Sequence, residues 1–176
     1  MTYGKAGWLL PALMIYAVGV GAATPEEVER FETAQPPGTV SICRGEGSLQ
    51  AGIHRMTLRN YVRKTVLSVR NGRLRTRDEN VTAADGLVYA RYIFETVSWL
   101  DEDAEVSEID PDSIRVTLPT SETEAGKIAR FVRAIGTQRL QFEDVDASHF
   151  PEWDVAPARD DPTGMRYHCG PEGSAG

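Results

Sequence analysis

"TAADGLVYARYIFETVSWL", residues 82–100, reads as a long helix. Thr82 and Asp85 match a capping box, and Val88, Tyr92, Val97 and Leu100 follow one face with Leu87, Ile93 and Phe94 beside them. Upstream, "VRKTVLSVRNGRLRTRD" (62–78) reads as a hairpin, because Asn71 and Gly72 are the residues a two-residue turn with positive φ prefers. Downstream, residues 101–112 supply a loop with a short strand through Val106 and Ile109. Ile114, Val116 and Leu118 then alternate with Arg115 and Thr117, the period of a half-buried strand, until Pro119 stops it. Ser121 and Glu124 form a second capping box. Ala125, Ile128, Ala129, Val132 and Ile135 keep to one helical face, Lys127, Arg130 and Arg133 point away, and Gly136 ends the helix. Leu140 and Phe142 alternate on a closing strand. The order strand, helix, strand, strand, helix, strand predicts an α+β fold, a ferredoxin-like βαββαβ sandwich with both helices on one face of an antiparallel sheet.

The ends of the chain are read separately. Lys5 precedes the apolar run "AGWLLPALMIYAVGVGAAT", and no further charge appears before Glu26. Gly21, Ala22 and Ala23 offer a cleavage site before Thr24, so residues 1–23 are expected to be a secretory signal. The alternative is a single N-terminal membrane anchor, since the run reaches the roughly 20 residues needed to cross a bilayer. Either reading places residues 24–176 outside the cytoplasm: periplasmic or secreted, or membrane-anchored and facing outward. Residues 24–54 form an N-terminal extension, with a helix capped by Thr24 and ended by Pro36 and Pro37, a short strand "TVSIC" and a turn "RGEGS". Residues 55–146 form the core domain, and 147–176 an irregular tail rich in proline and glycine, anchored by Phe150, Trp153 and Tyr167. Cys43 and Cys169 are the two cysteines; in an oxidising compartment they are expected to pair and staple the tail, the alternative being two free thiols.

Charge and motif narrow the function. A formal net charge of −7 argues against nucleic acid as the main partner. From Arg55 to Arg77 the chain is basic throughout, and an acidic belt follows from Asp78 to Glu124. Arg63, Arg70, Arg73 and Arg75 are the candidate binding surface, facing a protein partner or membrane headgroups, or else answering the acidic belt. No cofactor is expected, and no metal either, because Cys43, His54, His149, His168 and Cys169 lack the paired spacings of metal ligands. The sequence shows no nucleophile elbow, and "GEG" at 45–47 is too short for a phosphate loop. Two functional readings remain: a non-enzymatic binding or accessory module, and a small secreted hydrolase using His54 and His149.

Residues 82–143 also resemble the extracytoplasmic P1 region of the SecD protein-export subunits. The likeness lies in the helix at 86–101, in Val116, Leu118 and Pro119, in Ala125, Ile128 and Ala129, and in Thr137, Leu140 and Phe142. It implies a stand-alone, SecD-head-like domain working in protein export or envelope assembly. The glycine that follows the proline in that family is absent after Pro119, and with at most one membrane span the chain cannot couple transport to a proton gradient, so no functional residue is transferred from the family.

Overall fold

A computed structural model describes residues 24, 26, 35–149, 151–157 and 161–173. The leader and most of the helix expected after Thr24 lie outside the described residues, as does Phe150. The described chain begins as a meander: β1 (Val40–Ala51), β2 (His54–Arg70), β3 (Arg73–Ala84), β4 (Leu87–Asp101), β5 (Ala104–Ile109), β6 (Arg115–Leu118), α1 (Glu122–Ile135) and β7 (Thr137–Gln141). A 3-10 turn (Phe142–Asp144) leads to β8 (Val145–Asp146), β9 (Trp153–Val155) and β10 (Arg166–Pro171). The strands form one antiparallel sheet in the order β7-β5-β4-β3-β2-β1-β10-β9-β8, with β6 also on β4, curled into a nearly closed barrel.

This is not the ferredoxin-like sandwich expected from the sequence, and the difference lies in residues 82–101. They are the end of β3, a two-residue turn and β4, not a helix. Asp85 and Gly86 both take positive φ, 47° and 82°, as Asn71 and Gly72 do in the hairpin read correctly from sequence, at 52° and 68°. Asp85 does not cap a helix: its Oδ1 accepts the Thr57 amide at 2.8 Å, and its own amide donates to the Thr57 carbonyl at 2.9 Å. Register shifts at Val66/Ser68 and Thr82/Ala83 mark bulges, which add twist and help the sheet curl.

Two further expectations change. "RGEGS" is strand, because Gly45 and Gly47 make room for a close approach on the inner face of β1. A Cβ on Gly45 would meet the Tyr167 ring at 2.6 Å, and one on Gly47 would meet the Thr163 carbonyl oxygen at 2.8 Å. The loop pressed onto Gly47 is shaped by Asp161, whose Oδ1 accepts from the amide and hydroxyl of Thr163 and whose Oδ2 accepts from the Met165 amide. Partial burial works to raise this carboxyl, but the three donations outweigh it and hold it below its ordinary value. The tail, expected to be irregular, supplies β9 and β10, and β10 pairs with β1.

The inner face is mixed. At one end α1 lays Ile128, Ala129, Val132 and Ile135 against Phe94, Ile109 and Ile114, the apolar cluster of the interior. Ser121 stands at the N-cap without a side-chain capping bond, so this packing carries the helix. Elsewhere buried polar residues, Thr76, Asp78 and Asn80 on β3 and Thr96 and Ser98 on β4, alternate with the buried apolar Leu58, Val66, Leu74 and Ala90. Thr76 donates to Asp78 Oδ1 at 2.8 Å, so its hydroxyl accepts from Thr96, also at 2.8 Å. Ser107 donates to Glu105 Oε1 at 3.3 Å and accepts from Ser98 at 2.7 Å. Two hydroxyl relays thus run side by side across the strands, each ending on a carboxylate. Among the described residues no buried side-chain nitrogen or oxygen lacks a partner.

Asp78 is 7% exposed, and burial pushes its carboxyl above the ordinary 3.8; Lys64, its neighbour across β2, and the Thr76 hydroxyl offset part of this, while Glu105 adds to it. With the folded value above the unfolded one, the native state holds the extra proton between them, and stability falls as pH rises through that window. Asp78→Asn, which keeps the acceptor for Thr76, is therefore expected to raise the urea midpoint at neutral pH, with a gain that shrinks toward about pH 4. A loss of stability at neutral pH that shrinks in strong alkali, where lysine gives up its charge, would show instead that attraction to Lys64 dominates. Glycine replacements give an opposed pair. Gly47→Ala drives a methyl into backbone and is expected to cost about 1–3 kcal/mol. Gly126→Ala, inside α1 with only the end of Arg130 at 3.7 Å, is expected to gain about 0.5–1 kcal/mol in the same urea titration.

Candidate binding cleft

The arginines singled out from sequence lie on the outer face of the meander, and three of the four are engaged. Arg63 reaches Glu172 Oε1 at 3.0 Å, Glu79 at 3.6 Å and the Thr65 hydroxyl at 3.2 Å. Arg75 and Arg77 share the carboxylate of Glu95 at 2.6 and 3.3 Å, and Arg73 stacks over Trp99 at 4.9 Å. Arg70 is exposed beside the Asn71–Gly72 turn. These arginines answer acidic residues of the belt and of the C-terminal segment; as solvent-facing pairs they are each worth about 0–1 kcal/mol. His54 stands at the tip of the β1–β2 hairpin, level with Ala51, whereas β8 ends at Asp146, level with Arg44 through β9 and β10, and His149 follows in the next loop beside Ser148. The fold does not bring the two histidines together.

It assembles a different set of residues. Where β1, β10, β9 and β8 lie side by side, their register aligns Arg44, His168, Asp154 and Asp146 in one cross-strand row on the outer face, with Glu46 opposite Arg166 beside it. Glu143 and Asp144 from the 3-10 turn wall this row, and the turn is tied down by the Ala156 amide donating to the Asp144 carbonyl at 2.8 Å. The result is an open cleft of about 710 Å³. His168 is fixed in it, Nδ1 lying 2.9 Å from Asp154 Oδ1 and Nε2 3.7 Å from Glu152 Oε2. Donation from the Ser148 backbone, and then from its side chain, holds the Asp146 carboxyl below its usual range.

The lining carries the carboxylates of Glu46, Glu143, Asp144, Asp146 and Asp154 against the guanidiniums of Arg44 and Arg166 and the imidazole of His168; Arg59 outside the lining answers Glu46 at 3.2 Å, which leaves four carboxylates facing two guanidiniums and one imidazole. Its residues include no serine, threonine or cysteine that His168 could activate. Among the described residues no group of three or more His, Cys, Asp or Glu side chains is placed to hold a metal ion. The chain matches no protein family, no curated protein and no solved structure.

Sequence reasoning missed this cleft because its parts come from residues 44–46, 143–146, 154–156 and 166–168. The available signal was the alternation within "RYHC", which puts Arg166 and His168 on one face and Tyr167 and Cys169 on the other.

The staple expected from the sequence is present: Cys43 and Cys169 face each other across β1 and β10 and form a disulfide between residues 126 apart in the chain. Closing a loop of that length removes about 4–5 kcal/mol of unfolded-state entropy as an upper figure. Replacing both cysteines by serine is expected to lower the unfolding free energy read from a urea titration by most of that amount and to release β8–β10 first, seen as early loss of hydrogen-exchange protection in residues 145–171. Unchanged stability and protection would show that strand pairing alone holds the segment.

Proposed function

We propose that this protein is a non-enzymatic extracytoplasmic binding module whose cleft at β1, β10, β9 and β8 takes a cationic segment of a protein partner. The observation that carries this reading is the excess of carboxylates over guanidiniums in a cleft of ligand size, about 710 Å³, mounted on paired strands. The Cys43–Cys169 bridge suits an oxidising, extracytoplasmic environment. Among the described residues no helix is long and apolar enough to cross a membrane. A place in protein export or envelope assembly rests on the likeness of residues 82–143 to SecD heads alone, and the helix with which that likeness began is β4.

The reading is tested with the oxidised chain from Thr24 onward, which contains every strand of the sheet. Titration with a lysine-rich and with a glutamate-rich peptide, followed by calorimetry at low and moderate salt, is expected to show binding of the basic peptide alone. The Asp144→Asn, Asp154→Asn double variant is expected to weaken it about tenfold. Equal affinity for both peptides would refute the assignment. So would turnover of ester, peptide or glycan substrates that is lost in the His54→Ala, His149→Ala variant, the signature of the hydrolase reading.

A further inference from the structure

The rim opposite the Asn71–Gly72 turn carries the two most exposed large apolar side chains among the described residues, Ile53 and Leu87. Ile53, at the tip of the β1–β2 hairpin, is 92% exposed; Leu87 and Tyr89, just past the β3–β4 turn, are 77% and 48% exposed, and Val88 lies between them. The two tips are neighbours, because Asp85 and Thr57 exchange both hydrogen bonds between the β3–β4 turn and β2. β3 stops opposite Leu58, so the β1–β2 hairpin projects beyond it. The apolar residues therefore sit on protruding tips, a shape suited to entering a soft layer and ill suited to receiving a partner's side chains.

The charges set behind the tips identify the layer. Arg55 and Arg91 are exposed, and no carboxylate pairs with either among the described residues. Arg59 is held by Glu46 at 3.2 Å. Asp85 is committed to the Thr57 amide and Asp161 to Thr163 and Met165, while Glu122 and Glu124 open α1 just past Leu118, the strand partner of Arg91, and Glu124 is held by Lys127. Apolar tips, a tyrosine and cations placed one step back are the order in which a bilayer presents acyl chains, interface and anionic headgroups. We propose that this rim docks on an anionic membrane surface, with Ile53, Leu87 and Tyr89 entering the headgroup region and Arg55 and Arg91 meeting lipid phosphates. This surface is distinct from the arginine-rich hairpin, which lies at the opposite end of the sheet, and it does not depend on the cleft's binding a peptide.

The test is co-sedimentation of the oxidised chain from Thr24 onward with vesicles of phosphatidylcholine alone and of phosphatidylcholine with phosphatidylglycerol. Binding is expected to the mixed vesicles and to be at least about tenfold weaker to the neutral ones. Ile53→Asp with Leu87→Asp is expected to abolish it, and Arg55→Glu with Arg91→Glu to remove the preference for anionic lipid. Phe131→Asp, a 65% exposed aromatic on α1 away from the rim, is expected to leave binding unchanged. Circular dichroism checks that each variant is folded. No binding to either vesicle, or equal loss in the Phe131 variant, would overturn the proposal. So would a dimer in sedimentation equilibrium that Leu87→Asp dissolves, since a second copy would then be what covers the tips.

Discussion

The pairing of β1 with β10 is the constraint on which the rest of the molecule depends. Through it the last strand of the chain lies against the first, so that a meander of hairpins becomes a nearly closed wall. The Cys43–Cys169 bond fixes not only proximity but register, since a slip of one residue would face Cys43 with His168 or Gly170 and turn every side chain of the segment to the wrong face. The same register puts Tyr167 over Gly45 inside and His168 beside Arg44 outside. Interior packing and outer cleft are thus two readings of one alignment.

The polar relays add order to an interior whose buried residues are mostly hydrophobic. A barrel lined only with aliphatic groups could pack in several ways, whereas hydroxyl relays ending on Asp78 and Glu105 accept one arrangement of donors. Burying Asp78 costs stability, and the apolar cluster beneath α1 offsets that cost at the other end of the same face. Surfaces that bind partners are held still by such a scaffold, which suits a cleft built from parts of four strands.

Where local chemistry is unambiguous, the sequence is legible. Asn71–Gly72 demands positive φ and marks its hairpin, and the alternation of 114–118 and the helical spacing of 125–135 lead directly to β6 and α1. β4 is not legible in the same way. Its inner positions Ala90, Tyr92 and Phe94 are apolar, but so are the outer Val97 and Trp99, which Arg73 and Val106 cover, and residues apolar on both faces imitate a wide helical stripe. Asp85–Gly86 carries the same turn signal as Asn71–Gly72, masked by Thr82 standing three residues earlier like a helix cap. β9 and β10 are short and lie among prolines and glycines, and β10 finds its partner β1 more than a hundred residues away, a relation no local pattern encodes. The outward direction of the arginines could be read from sequence; that Glu95, Glu79 and Glu172 would occupy them could not.

The two flanks of the sheet, β7 and β8, are consecutive in the chain and joined by the three residues Phe142–Asp144, which span at most about 10 Å. The ring is therefore closed by a covalent stitch where hydrogen bonds give out, with the buried Phe142 amide donating to the Asp103 carbonyl to hold the stitch in place. β7 has five residues and β8 two, so neither free border is long enough to template a foreign strand. Short flanks of this kind lessen the usual hazard of a strand-rich architecture, fibre growth from an open border.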